Sequence, residues 1–177
     1  MRFGGIVLAV LLTLGACSSD PAPKEPKRTS TSASPTATPP TMPAQAKEDT
    51  SEGAAAFVKH YIDVFNYAAS TGDVEELSRL SSPKCEGCQS YINLYRDTYK
   101  SGGYFKGGKW TASKFTLETG DSETYATTTI TSGRNRFRTS RDDNEQTSSS
   151  EKIELTFAIQ GTSGSRRITQ LALGDAK

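Results

Sequence analysis

Cys85-Glu86-Gly87-Cys88 holds the densest chemistry in this chain. Two thiols three residues apart can close a disulfide, cycle electrons or supply half of a zinc site. A redox pair belongs between a strand and a helix of a βαβ unit, whereas the spacing of apolar residues on both sides sets this one between two helices. Zinc asks for two more ligands, and His60 is the single histidine. A local disulfide that staples a turn in an oxidising compartment is therefore the expected chemistry. His60 has a suitable intrinsic pKa for a general base. It falls on the flank of its helix, however, where a surface or boundary histidine without a catalytic duty is expected. Arg134, Arg136 and Arg138 alternate, so a strand would point them one way. With Arg141 they could meet an anionic partner such as a lipid headgroup or a wall polymer. Asp142, Asp143 and Glu145 follow at once and offset that charge, and a solvated strand face is the plainer reading.

Tyr91, Tyr95 and Tyr99, with Tyr104, Phe105 and Trp110, gather aromatic rings around a glycine-rich stretch. Together with His60 they could line a pocket for an apolar or sugar-like ligand. Rings at helical spacing more commonly form core. The residues expected to face inward from the strands, namely Phe115, Leu117, Ile153, Leu155, Phe157, Leu171 and Leu173, cannot move a proton. Asp63 belongs to the polar face of its helix. No catalytic residue is assigned, and neither a metal nor a cofactor is called for.

The third cysteine has a separate use. Arg2 precedes an apolar run from Ile6 to Leu14, and Leu14-Gly15-Ala16-Cys17 closes it. A basic start, an apolar stretch too short to span a bilayer and a small-residue processing site make a secretory signal over residues 1–16. Its last four residues resemble a bacterial lipobox, in which Cys17 becomes the lipid-bearing first residue of the mature protein. The odd cysteine count is then resolved, because Cys85 and Cys88 remain to pair. The expected location is the extracytoplasmic face of the cell membrane, with lipid on Cys17 as the membrane attachment. The chain has 21 basic and 20 acidic residues, and loss of Arg2 leaves the two balanced. Such balance argues against a nucleic-acid partner and leaves local patches to consider.

The elements that must position these groups begin late. Residues 17–50 are rich in Pro, Ser, Thr and Ala, with Met42 the lone large apolar residue. They read as a disordered tether behind the lipidated cysteine. A single domain is expected over 51–177. Phe57, Tyr61, Val64, Phe65 and Ala68 predict a helix over about 53–70, ended by Thr71-Gly72. Asp73 and Glu76 predict a capping box for a second helix that buries Val74, Leu77 and Leu80. A third is expected from Cys88 to Tyr99. Gly102-Gly103 and Gly107-Gly108 predict a loop. After Trp110 the period becomes two, with strands near Phe115–Leu117, Tyr125–Thr131, Arg134–Arg138 and Ile153–Ile159, and one near the end. Residues 140–150 read as a long hairpin loop. Helices first and strands second make an α+β fold, three helices packed on a curved, cone-like antiparallel sheet.

The pattern Phe57…Tyr61…Tyr67, Thr71-Gly72-Asp73, Leu77-x-x-Leu80-Ser81 and Cys85-x-x-Cys88 resembles an uncharacterised family of actinobacterial lipoproteins. The resemblance implies a lipobox, a Ser/Thr/Pro tether and one domain of unknown function. Three short helices before a curved antiparallel sheet are also similar to the nuclear-transport-factor-2-like cone fold, which hosts enzymes and binding modules alike. The sequence thus points to a lipid-anchored binding or accessory module of the cell envelope, with a protein or wall-polymer partner. The alternative is a small cone-fold enzyme of hydrolase or isomerase type, or a ligand carrier, using an aromatic-lined cavity.

Overall fold

The computed structural model describes residues 37–174. The signal peptide (1–16), Cys17 and the first part of the tether lie outside the described residues. Three helices precede eight strands: α1 Ser51–Thr71, α2 Glu75–Leu80, α3 Glu86–Lys100, then β1 Gly102–Gly107, β2 Trp110–Ala112, β3 Thr116–Thr119, β4 Thr124–Ser132, β5 Asn135–Ser140, β6 Gln146–Ser148, β7 Glu151–Gln160 and β8 Arg167–Leu173. The expected α+β order is found.

The strands form two sheets of antiparallel ladders. One has the order β1-β5-β6; in the other, β4, β7 and β8 run side by side, and β2 and β3 share the remaining edge of β4. Alternation along β4 sends Ala126, Thr128 and Ile130 inward, as expected of a half-buried strand. In β7 burial is continuous from Leu155 to Ile159, so both faces of that central strand are covered. Leu173, expected to face inward, is 77% exposed, because β8 has reached the end of its ladder there.

α1 supplies more of the core than any other element, through Phe57, Val58, Tyr61, Val64, Phe65 and Ala68 among others. Thr50 caps it by accepting from the Gly53 amide at 3.0 Å, and Gly72 ends it in the left-handed region. The capping box expected for α2 does not form. The Asp73 carboxylate accepts from the Glu75 amide in a local turn, and Glu76 turns instead to Arg79. Cys85 caps α3, its sulfur accepting from the Cys88 amide at 3.2 Å.

Two expected loops contain strands. Glycine-rich 102–107 is β1, because Gly103 lies against the backbone of β5: a Cβ there would sit 2.3 Å from the Arg138 carbonyl oxygen. The stretch 140–150 contains β6, which pairs with the first half of β5. The packed domain also starts before residue 51. Residues 44–47 form a 3-10 turn, Ala46 is buried and Met42 packs against the core. Arg166 holds this stretch, donating to the Ala46 carbonyl at 3.0 Å and facing Asp49 at 3.4 Å. Ser163 also donates to the Lys47 carbonyl and, through its amide, to Asp49. A Pro- and Thr-rich composition hid these partners, which lie over a hundred residues away.

The helical layer is fixed to the sheet by Asn66. Its side-chain amide donates to the Trp110 carbonyl and accepts from the Trp110 amide, both at 2.8 Å. A helix side chain thereby completes the backbone pairing of β2. Asn66→Ala is expected to cost about 1–3 kcal/mol, because it leaves both backbone groups without their partners. Trp110 is the only tryptophan. Its emission should shift to the red in the folded variant, read beside a urea titration.

Candidate functional site

The aromatic residues singled out above divide between the interior and the surface. Inside, Phe65 stacks on Trp110 at 4.1 Å between ring centroids, and Tyr91 and Tyr95 meet Phe65 edge-on at 4.9 and 5.3 Å. Phe105 continues the cluster from Tyr95 and stacks on Phe137. These rings fill the space between α1, α3 and the two sheets. A slot of about 190 Å³ remains at its margin, bordered by Tyr91, Leu94, Tyr95, Phe105, Trp110 and Asn135. Burial pushes the Tyr91 and Tyr95 hydroxyls above the usual tyrosine range, so both stay neutral.

Three of the expected pocket residues lie elsewhere. The Tyr99 hydroxyl is committed to the Ala69 carbonyl at 2.9 Å. Tyr104 points to the opposite face of β1. His60, expected at a surface or boundary, is 3% exposed and borders α2, with its Nε2 buried and without a hydrogen-bond partner. Burial is the main cause that holds His60 below the usual histidine range. Glu76 and Asp63 pull it upward, and Arg79 adds to the lowering. Cys85 and Cys88 form the disulfide, closing the turn between α2 and α3. Among the described residues no three His, Cys, Asp or Glu side chains converge as a metal site.

The other candidate site is the outer face of β1 and β5. Phe105 and Phe137 oppose one another across the ladder on the inner face, so their neighbours in sequence face outward. Tyr104 lies opposite Arg138, and Lys106 opposite Arg136. The Lys106 ammonium sits 4.2 Å from the centre of the Tyr104 ring, and the Arg138 guanidinium 5.0 Å from it. Arg134 precedes the strand and is exposed, as is Arg141, which folds over Gly102. Glu145, just before β6, accepts from the Tyr104 hydroxyl and lies 3.6 Å from Arg136. Asp143 is turned away to the Thr139 hydroxyl. The cationic strand expected from the arginine spacing is therefore a two-strand surface built around an aromatic ring. Lys106 escapes the sequence reading, and Tyr104 falls there with the pocket aromatics, because a glycine-rich stretch gives no strand signal. Only the β1–β5 register joins them to the arginines.

The comparisons with known proteins leave activity open. A family model described as a family of unknown function (DUF6318) matches residues 27–164. No curated protein matches in sequence. The intermembrane space region of the chloroplast protein ARC6 is similar in fold, with a TM-score of 0.54 at 10% identity, over 72% of this chain and 98% of that one. A calcium/calmodulin-dependent protein kinase II association domain from Xanthomonas campestris gives a TM-score of 0.38 at 14% identity, over 79% of this chain and 97% of that one.

The buried histidine yields a pH dependence. A histidine whose pKa is depressed on folding adds stability above its unfolded value, near 6.5, which is lost as pH falls toward the folded value, since the unfolded chain takes the proton first. The melting temperature should therefore drop between pH 7 and 5, and His60→Leu should lessen that drop. An equal drop in both proteins would mean that His60 does not supply it.

Proposed function

We propose that this chain, which belongs to the DUF6318 family of unknown function, works as a lipid-anchored extracytoplasmic binding module whose ligand is anionic. The observation that carries the reading is the Tyr104 ring flanked by Lys106 and Arg138, with Arg136 alongside. Guanidinium groups on a rigid strand present fixed donors to phosphate or carboxylate oxygens, and the pairing with β1 sets their spacing. The Leu14-Gly15-Ala16-Cys17 sequence supports export and lipidation. The order of helices and strands supports the nuclear-transport-factor-2-like cone arrangement, and the Thr71-Gly72-Asp73 and Cys85-x-x-Cys88 motifs support the likeness to actinobacterial lipoproteins.

A second reading, a carrier of a small ring-shaped ligand, is favoured by one observation. The buried Asn135 Oδ1 has no hydrogen-bond partner, and Asn135 borders the aromatic slot. An acceptor in that state is suited to a ligand hydroxyl or amide. The slot's volume limits such a ligand to about one ring.

Titration of the mature chain, residues 17–177, with a soluble polyphosphate separates the readings. Binding should weaken with salt, and Arg136→Glu with Arg138→Glu should weaken it by about tenfold or more, given about 1 kcal/mol per basic residue at an anionic surface. Salt-independent binding, or equal binding by the double variant, would remove this face from the mechanism.

A further inference from the structure

We infer that the anionic partner of the β1–β5 face is the phospholipid surface in which the chain is anchored, and that Glu145 competes with that surface from within the chain. This rests on the cationic-face reading above and adds the identity of the partner.

The first argument is where the chain leaves the domain. Ala37, the first described residue, offers its carbonyl to the Tyr67 hydroxyl. Pro40 borders the same groove as Gly107, Gly108 and Lys109, the residues that directly follow Lys106. The path toward Cys17 therefore starts beside the end of β1 that carries Lys106. Ala37 lies twenty positions after Cys17, and a chain of that length spans at most about 70 Å. Headgroups of the anchoring membrane are thus always within reach and locally concentrated, whereas a soluble partner must be captured from dilute solution.

The second argument is the chemistry of the face. Lys106, Arg136 and Arg138 are set on two paired strands, with the amphipathic Tyr104 ring between them. Tyrosine suits the boundary between headgroups and acyl chains, and basic side chains suit phosphates. A lipid anchor combined with a basic patch is the two-signal arrangement that fixes the orientation of a domain on a bilayer.

The third argument is Glu145. One of its carboxylate oxygens takes the Tyr104 hydroxyl and the other faces Arg136. Those are contacts a headgroup phosphate would make. The Tyr104 hydrogen bond first, then Arg136, Lys106 and Arg138, hold the Glu145 carboxyl below its usual range, so it remains an anion. Phosphate must displace it. Docking then depends on the density of anionic lipid and does not occur on a neutral bilayer.

The test uses Cys17 as the single free thiol, since Cys85 and Cys88 are paired. Residues 17–177 are coupled through Cys17 to a maleimide lipid in vesicles of phosphatidylcholine, alone or mixed with phosphatidylglycerol. Lysine acetylation by a water-soluble reagent is followed by mass spectrometry. Lys106 should react about fivefold more slowly on the anionic vesicles, the factor expected of one basic residue at such a surface. Lys84, exposed in the α2–α3 turn, should keep its rate, and high salt should restore that of Lys106. Glu145→Gln should give the same protection at a lower phosphatidylglycerol fraction; an unchanged midpoint would overturn the competition. Protection of Lys106 by added polyphosphate on neutral vesicles, without protection by phosphatidylglycerol, would overturn the membrane partner and leave the anion-binding module standing. No protection by either anion would overturn both.

Discussion

A side-chain amide in the C-terminal half of α1 takes the place of a neighbouring strand. Asn66 satisfies both backbone groups of Trp110 and so fixes the first residue of β2 against the helix. That placement lays the indole on Phe65, and Phe65 in turn receives Tyr91 and Tyr95 from α3. Three elements that are far apart in the chain meet on one ring. The cost of misplacing any of them is the cost of unpairing buried polar groups together with loosening a dense aromatic cluster.

The filled interior determines where recognition can occur. Most of the large rings are spent on packing, and the slot left among them, beside Tyr91 and Leu94, is small. The same ladder that buries Phe105 and Phe137 turns Tyr104, Lys106, Arg136 and Arg138 outward. Core and cationic face are therefore two sides of one strand pair. The alternation of side chains links them, so a one-residue slip in the β1–β5 register would exchange the two faces.

The sequence made some of this legible and hid the rest for specific reasons. The periodicity of Phe57, Tyr61, Val64, Phe65 and Ala68 marks α1, and Thr71-Gly72 its end, because local geometry alone sets them. The Cys85–Cys88 pairing followed from exclusion of redox and zinc alternatives. Strand β1 was hidden because its glycines serve a close approach to β5, which is visible only once β5 is beside it. Asn66 reads as a solvated polar residue until Trp110 supplies its partner. His60 lies off the apolar stripe, yet it is buried, with Glu76 and Arg79 of α2 among the charges that act on it, and no helical wheel of α1 alone contains α2. The role of Arg166 in holding residues 46–49 likewise depends on a contact across the whole domain.

That contact has a mechanical meaning. Ala46, Lys47 and Asp49 are pinned to Arg166 and Ser163 in the turn between β7 and β8. Tension arriving through the N-terminal segment, past Met42, is therefore borne by several hydrogen bonds to the β7–β8 turn and Arg166. The cap of α1 at Thr50 is shielded behind them. A domain pulled at its N-terminal end would load the Met42 packing and this clasp before the cap of α1.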